Sequence, residues 1–206
     1  MHMALAAAPY SPADAPHAVP ARLSVAEYHA LIEAGLLPED NSLELLDGVL
    51  VPKMSKRPSH STATERTRRV LTRLLAPGWH VRVQEPITLA AGEPEPDVCV
   101  ARGDFEDYEA RHPLPGEVAL IVEVADSTLT RDREHKGRLY AEAGIPCYWI
   151  LNLSDQTVEV YQDPAGTGPE AAYLQRTDYH GTQTIPVAAI PALVPPDPSA
   201  RSLLQG

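Results

Sequence analysis

The chain has 206 residues, and its 17 Lys and Arg against 28 Asp and Glu give a formal charge of −11 at pH 7. A hydrophobic content of 44% excludes a wholly disordered protein, and no run of 18 apolar residues is present to span a bilayer. The acidic balance excludes a protein that coats nucleic acid through bulk positive charge. It leaves room for a nuclease that contacts DNA through a local basic patch.

Both ends of the chain are rich in Pro and predict segments outside the folded domain. Residues 1–22 also contain many Ala and offer no Lys or Arg before a very short apolar stretch, so we predict a disordered leader and no signal peptide. Residues 195–206 predict a Pro-rich flexible tail. A single domain is therefore expected over residues 23–194.

The first half of this domain predicts a helix, a hairpin and a second helix. Polar capping residues and Pro-Gly pairs mark the helix ends, and the Asp47-Gly48 dipeptide favours a tight hairpin turn. The predicted elements are a helix that follows Ser24 and ends at Gly35, strands Leu43–Leu46 and Val49–Val51, and a helix from about residues 59–62 to Ala76.

The second half predicts three strands, a helix and another hairpin. The predicted elements are strands Val81–Leu89, Asp97–Ala101 and Val118–Ala125, a helix over Arg131–Ala143, and strands Cys147–Leu153 and Thr157–Tyr161. Residues 171–194 add an edge strand or two. The segment VALIVEVA at 118–125 is typical of a central strand covered on both faces. This order predicts an α/β fold in which helices flank a mixed central β-sheet.

Two cysteines, Cys99 and Cys147, lie in apolar runs. A core of this size needs no disulfide, so buried free thiols in a reducing cytosol are the favoured interpretation, although one disulfide is possible on parity. We therefore expect a cytoplasmic protein that is not membrane-bound.

Three acidic residues occupy unusual places in apolar surroundings. Asp97 follows Pro96 at the start of a strand, Glu123 interrupts an apolar run at 120–124, and Glu44 lies within the segment LELL. A carboxylate in a central strand is costly to bury unless a positive charge compensates it. A divalent cation is the usual solution where two such carboxylates converge, and Mg²⁺ favours few carboxylates plus water and phosphate oxygens.

These residues resemble a known nuclease core. Pro96-Asp97 followed by Ile121-Val122-Glu123-Val124 is similar to the PD-(D/E)xK nuclease motif, and the wider pattern resembles the Uma2 family of restriction endonuclease-like proteins. The resemblance spans about residues 24–162, through the segments LELLDGVLV, Ser59-His60, PDVCV, IVEVADSTLTRDREHKGRLYAEAGIPCYWILNL and VEVY. It implies a restriction-endonuclease-like core.

The chain departs from the parent motif at its lysine. The motif would place a lysine two residues after Glu123, but residue 125 is Ala. The resemblance implies that Lys136, on the following helix, takes this place. Lys136 precedes Leu139 and Tyr140 by three and four residues, so it shares their helix face. If that face packs on the sheet, the ammonium points towards Glu123.

The resemblance implies a Mg²⁺-dependent endodeoxyribonuclease, in which Mn²⁺ can substitute for Mg²⁺. The implied roles are as follows: Asp97, Glu123 and the Val124 carbonyl hold the ion, Lys136 orients water or offsets phosphate charge, Glu44 joins the metal shell directly or through water, His60 contacts phosphate or water, and Asp132 supports Lys136. DNA is the expected substrate. Because two sites are needed to cut two strands, the resemblance also implies a homodimer.

Several of these residues also have a structural interpretation, whereas a mid-strand acid such as Glu123 has few. Asp97 could cap a turn, Glu44 could be the polar position of a half-buried strand, and His60 could cap a helix. Lys136 and Asp132 could form an ordinary i, i+4 surface pair, worth roughly 0.2–0.5 kcal/mol. The arginine clusters are either solvated helix faces or a phosphate-contacting patch; they comprise Arg66, Arg68, Arg69 and Arg73, and Arg131, Arg133 and Arg138.

Two alternative functions remain open at this point. One is a nuclease fold that has lost its chemistry and binds nucleic acid or protein. The other is an interaction protein that docks a partner through its hairpin edges.

Overall fold

The computed structural model describes residues 22–38 and 42–205. The predicted leader, except for Arg22, lies outside these residues. The helices are α1 (Val25–Glu33), α2 (Pro58–Leu74), α3 (Gly137–Glu142) and α4 (Ala200–Leu204), and a π-helical turn at Arg131–Lys136 leads directly into α3. The strands are β1 (Leu43–Leu46), β2 (Val49–Pro52), β3 (Trp79–Val83), β4 (Val98–Arg102), β5 (Val118–Ala125), β6 (Cys147–Asn152), β7 (Thr157–Ala165) and β8 (Ala172–His180).

Six of the strands form one mixed sheet in the order β3-β4-β5-β6-β7-β8. The β5–β6 pair is parallel, whereas the other neighbouring pairs are antiparallel. A parallel pair needs a crossover connection, and the π-helical turn with α3 supplies it across one face of the sheet. The predicted α/β fold with a mixed central sheet is confirmed.

Local sequence signals account for the elements next to the site. Ser24 caps α1, because its hydroxyl accepts a hydrogen bond from the Glu27 amide at 3.2 Å, and Gly35 follows the helix with φ +65°. Asp47 and Gly48 both have positive φ, +55° and +74°, which suits the turn of the β1–β2 hairpin. These turns set the path of the chain into α2.

The two faces of the sheet bury different side chains. Along β5, Val122 and Val124 join an apolar core that includes residues of α2 and α4. Ile121 and Ala125 face the opposite core, which includes residues of α3 and β1. All eight residues of β5 are buried, as predicted for a central strand. Glu123 shares the face of Ile121 and Ala125, so it lies beneath the crossover.

The C-terminal prediction is wrong. Residues 195–205 are not a flexible tail outside the domain, because α4 packs on α2 and buries Ala200, Leu203 and Leu204 in the core. Arg66 of α2 also donates a hydrogen bond to the Leu204 carbonyl at 2.7 Å. The domain therefore extends past residue 194. The Pro-rich stretch that precedes α4 concealed a short amphipathic helix.

Two smaller boundaries also differ. The predicted strand Val81–Leu89 ends at Val83, because Gln84 adopts φ +55° and Pro86 cannot donate to a ladder. Residues 171–194 supply one edge strand, β8. Both Cys99 and Cys147 are buried free thiols, as predicted. Within the described residues, no helix has the length and apolarity needed to cross a bilayer.

Candidate active site

Asp97, the residue immediately before β4, lies beside Glu123 of the adjacent strand β5. Val98 of β4 pairs with Val122 of β5, so one further step of the antiparallel register sets Asp97 opposite Glu123. The Asp97 Oδ2 atom accepts a hydrogen bond from the Val124 amide at 2.8 Å. The two carboxylates therefore share one face of the sheet, at the carboxyl end of β5.

The crossover brings Lys136 onto this pair. Its Nζ atom lies 2.9 Å from Glu123 Oε1 and 3.4 Å from Glu44 Oε2. The Lys136 side chain is only 4% exposed, and those of Glu123 and Glu44 are 5% and 3% exposed. Lys136 ends the π-helical turn, a feature that is rare and occurs frequently at functional sites. The expected approach of Lys136 to Glu123 agrees with this geometry.

The alternative surface pair between Lys136 and Asp132 is not present. Among the described residues, no ion pair joins these two side chains within 4.0 Å, and both are buried. Asp132 Oδ2 instead accepts a hydrogen bond from the Thr128 hydroxyl at 2.5 Å. Asp132 still lines the same pocket, so it contributes charge near Lys136 without contacting it.

Tyr140 completes the surroundings of Glu123, a contact that the sequence pattern did not identify. Its hydroxyl donates to Glu123 Oε1 at 2.8 Å. Oε1 thus receives both Lys136 and Tyr140, whereas no hydrogen bond to Glu123 Oε2 is found in residues 22–38 and 42–205. The spacing Lys136-x₃-Tyr140 could have predicted this contact, since residues four apart lie on one helix face.

His60 and Glu44 reach the site from outside the central sheet. His60 lies in the first turn of α2, and its Nε2 atom is 3.0 Å from Asp97 Oδ2. Glu44 of β1 accepts a hydrogen bond from the Glu95 amide at 3.2 Å in addition to its contact with Lys136. Glu44 is therefore part of the charged cluster and not the solvent-facing position of a half-buried strand.

The charges are set by burial and by mutual contact. Burial opposes the ionisation of Asp97, but His60 and the Val124 amide outweigh it and hold the pKa of this carboxyl below its usual value. Burial raises the pKa of Glu123, against the opposing effect of Lys136. Burial lowers the pKa of Lys136, yet the nearby carboxylates raise it above its ordinary value, so Lys136 is an ammonium.

These side chains line a cavity of about 60 Å³, which has room for a few waters or for a small cation with water. Four carboxylates and one ammonium form its floor: Glu44, Asp97, Glu123, Asp132 and Lys136. The rim consists of four cationic side chains and of two acidic residues that are more exposed than those of the floor: Lys53, Lys56, Arg57, Arg131, Glu95 and Asp126. The floor is negative and the rim is positive.

The floor fits a hard cation with few protein ligands. In the described part of the chain, no group of three or more His, Cys, Asp or Glu side chains is arranged to hold a metal ion. Asp97 and Glu123 could still act as a pair, and Val124, whose carbonyl the sequence predicts as a ligand, lines the same cavity. Mg²⁺ is commonly bound by one or two carboxylates plus waters and phosphate oxygens, which suits this sparse set.

The arginine clusters do not form one patch at the site. Arg131 is the member that lines the cavity. Five of the others have contacts elsewhere: Arg68 and Arg69 with Glu65, Arg66 with the Leu204 carbonyl, Arg133 with Glu159, and Arg138 with Asp47 and Glu142. Arg73 is exposed on α2 and does not line the cavity. The basic strap at the rim, residues 53–57 between β2 and α2, was missed from sequence.

The fold and the site define a class of protein: an α/β fold in which buried acids at the end of the central strand contact a lysine of the following crossover. The model of the Uma2 family, described as "Putative restriction endonuclease", matches residues 25–193. The chain therefore belongs to the Uma2 family.

Several solved structures match the chain. One is the crystal structure of "a putative nuclease belonging to DUF820 from Anabaena variabilis ATCC 29413", with 17% sequence identity and a TM-score of 0.61. The match covers 84% of this chain and 96% of that chain. At this identity the likeness shows the fold alone. A search of curated proteins finds no significant match.

Proposed function

We propose that this chain is a Mg²⁺-dependent endodeoxyribonuclease that hydrolyses phosphodiester bonds in DNA. The observation that carries the proposal is the convergence of Asp97, Glu123, Glu44 and Lys136 from three strand segments and the crossover into one cavity. A structural protein gains little from burying so many carboxylates around one ammonium, because their desolvation is costly.

Asp97 and Glu123 would hold the cation, with the Val124 carbonyl as a third protein ligand and Mn²⁺ as a substitute for Mg²⁺. When bound, the cation polarises a phosphoryl oxygen and lowers the pKa of a water molecule. Glu44 would contribute directly or through water. His60, at 3.0 Å from Asp97 Oδ2, fixes the orientation of that carboxylate.

Lys136 would act on the phosphate side of the reaction. Two carboxylates receive its ammonium group at 2.9 and 3.4 Å, and the group can make one further hydrogen bond. That third proton is available to orient the attacking water or to offset charge that develops on the phosphate. Tyr140 holds Glu123 through its hydrogen bond to Oε1, and Glu44 holds Lys136 through their ion pair.

We further propose a cytoplasmic homodimer, because a double-strand break requires two sites and because Cys99 and Cys147 are free thiols. Sedimentation equilibrium should then give twice the chain mass. A monomeric mass at micromolar concentration would contradict the dimer.

The test is cleavage of supercoiled plasmid and of single-stranded DNA with Mg²⁺ or Mn²⁺. Wild type should give nicked and linear products that EDTA prevents. Glu123→Gln should lower the rate by about 10³-fold, because a ligand to the cation is lost. The matched control is Glu142→Gln on α3, which makes the same chemical change to a partly exposed residue that does not line the cavity.

The outcome separates catalysis from binding. If folded wild-type protein leaves all substrates intact with both cations, the nuclease proposal fails, and a nuclease fold that only binds becomes the better account. If Glu123→Gln and Glu142→Gln cleave equally well, the activity does not come from this cavity.

A further inference from the structure

All three lysines of the chain line one cavity, although the chain carries a net charge of −11. Lys136 lies on the floor, and Lys53 and Lys56 lie in the basic strap, residues 53–57. Exposure rises outward along this strap, since the side chains of Lys53, Lys56 and Arg57 are 17%, 36% and 68% exposed. The strap therefore presents a graded series of cations from the cavity to solvent.

Arg131 adds another cation to the lining of the same cavity. Arg131 is 24% exposed, and its nearest carboxylate contact is Glu44 at 3.9 Å, which is too long for a good hydrogen bond. Within the described residues, the buried Arg131 Nε atom has no hydrogen-bond partner. A buried donor without a partner calls for a ligand or a water, and an oxyanion in the cavity mouth would supply the acceptor.

The strap lysines are held by a single carboxylate. Lys53 forms an ion pair with Glu95, and Lys56 lies 3.8 Å from the same group. Glu95 is 10% exposed at its side chain and sits between the strap and the floor, where its amide donates to Glu44. Two cations share one counter-charge, so each can exchange Glu95 for another anion.

We infer that the basic strap and Arg131 bind the DNA phosphates next to the scissile bond, and that Glu95 occupies the lysines until DNA arrives. This inference rests on the proposed nuclease function, which supplies the substrate. Phosphate contacts position nucleic acid without reading its sequence, so the strap would give affinity and register and no base specificity.

The exposed face of α2 is the competing surface. Arg69 is 65% exposed at its side chain and pairs with Glu65, and Arg73 lies one turn further along the same helix. These residues do not line the cavity. Substitutions at Arg69 and Arg73 are matched controls, because each substitution removes one positive charge from a solvent-exposed position of the same acidic protein.

Binding is measured by fluorescence anisotropy of a labelled duplex in EDTA, over a series of salt concentrations. EDTA prevents metal-dependent cleavage and leaves the floor in the same state in every variant. The strap variants are Lys53→Met and Lys56→Met, which remove the charge and keep an aliphatic side chain. The controls are Arg69→Met and Arg73→Met. Thermal melting confirms that each variant is folded.

Each strap variant should weaken binding by about tenfold near 0.1 M salt and reduce the slope of log K against log salt by about 1. Both controls should stay within about twofold of wild type. Glu95→Gln should strengthen DNA binding, because it releases both lysines. If Glu95 had a purely structural role, this substitution would not strengthen binding. If Lys53→Met lowers the melting temperature, the Lys53→Met/Glu95→Gln double variant removes both partners and should still bind weakly.

Two results would overturn the inference. One is an affinity for DNA in the strap variants that equals that of wild type. If wild type nevertheless cleaves DNA in Mg²⁺, the proposed nuclease function is supported and only the role of the strap is wrong. The other is loss of affinity in the α2 variants alone. Conversely, if binding is lost only in the strap variants and wild type cleaves nothing, the phosphate site is supported and the proposed catalysis is wrong.

Discussion

Two buried glutamates on the same face of the sheet have opposite surroundings. Glu123 of β5 pairs with Ile150 of β6, and Ile150 pairs with Glu159 of β7, so the two acids lie in one row about 10 Å apart. Arg133, Tyr161, Asn152 and Arg176 surround Glu159 and contact both of its oxygens. Glu123 receives its two hydrogen bonds at one oxygen.

The pKa values follow this difference. Burial opposes the ionisation of Glu159, but the hydrogen bonds from Arg133, Tyr161 and Asn152 hold its pKa below the usual value. Burial raises the pKa of Glu123, and its neighbours do not fully offset that effect. Glu159 is therefore a satisfied structural acid. Under the proposed function, Glu123 would use its other oxygen for the cation, at a cost in stability that a structural role would not require.

Among substitutions that distinguish the Glu123 site from the Glu159 cluster, the largest expected effect is on the rate of catalysis. Lys136→Met should lower the rate of plasmid cleavage by about 10²–10³-fold, because the only ammonium on the cavity floor is removed. Arg133→Met is the control, since it removes one charge from the same π-helical turn but belongs to the Glu159 cluster. Equal rates in the two variants would place Lys136 outside the reaction.

The next effect concerns stability. Glu159→Gln should lower the free energy of unfolding by about 2–3 kcal/mol, because it leaves Arg133 and Arg176 without their shared carboxylate. Urea denaturation measures this loss. The rate of cleavage per folded molecule should stay within about twofold of wild type. A rate loss as large as that of Lys136→Met would mean that Glu159 belongs to the site.

A smaller effect is expected at Tyr140. Tyr140→Phe removes the hydroxyl that holds Glu123 Oε1 and should lower the rate by about tenfold, with little change in Mg²⁺ requirement. Lys136 still holds the same oxygen, which limits the loss. Tyr161→Phe, which removes a hydroxyl from Glu159, should leave the rate unchanged. If the two variants behave alike, the Tyr140 contact is structural.

The smallest effect is a pH dependence of stability. Because the folded-state pKa of Glu159 is lowered, its ionised form stabilises the fold above its unfolded-state pKa of about 4.3, and this contribution is lost as the pH falls below that value. The stability gap between wild type and Glu159→Gln should therefore narrow on acidification from pH 6 to pH 3. A gap that is constant over this range would contradict an ionised Glu159.

The sequence predicted much of this fold because the signals were local. Ser24, Gly35 and Asp47-Gly48 specify α1 and the hairpin from adjacent residues, and the apolar run of β5 marks the centre of the sheet. The C-terminal helix was missed because its stability comes from packing on α2, some 130 residues earlier in the chain, and not from its own five residues.

The site residues likewise fall into those that the sequence predicted and those that it did not. Glu123 could be identified because an acid interrupts an apolar strand, Asp97 because Pro96-Asp97 resembles the nuclease motif, and Lys136 because helix periodicity and the family resemblance agreed. Glu95 and the basic strap were not identifiable, since their meeting depends on how the β1–β2 hairpin packs beside the irregular segment between β3 and β4. Periodicity within one segment carries no information about such contacts between segments.

The most direct test of the central claim, that Glu123 keeps an oxygen for a divalent cation, is the melting temperature in EDTA and in 10 mM Mg²⁺. For a millimolar dissociation constant, wild type and Glu142→Gln should melt roughly 3–5 °C higher with Mg²⁺, and Glu123→Gln should not. An equal rise in Glu123→Gln, or no rise in wild type with either Mg²⁺ or Mn²⁺, would contradict the claim.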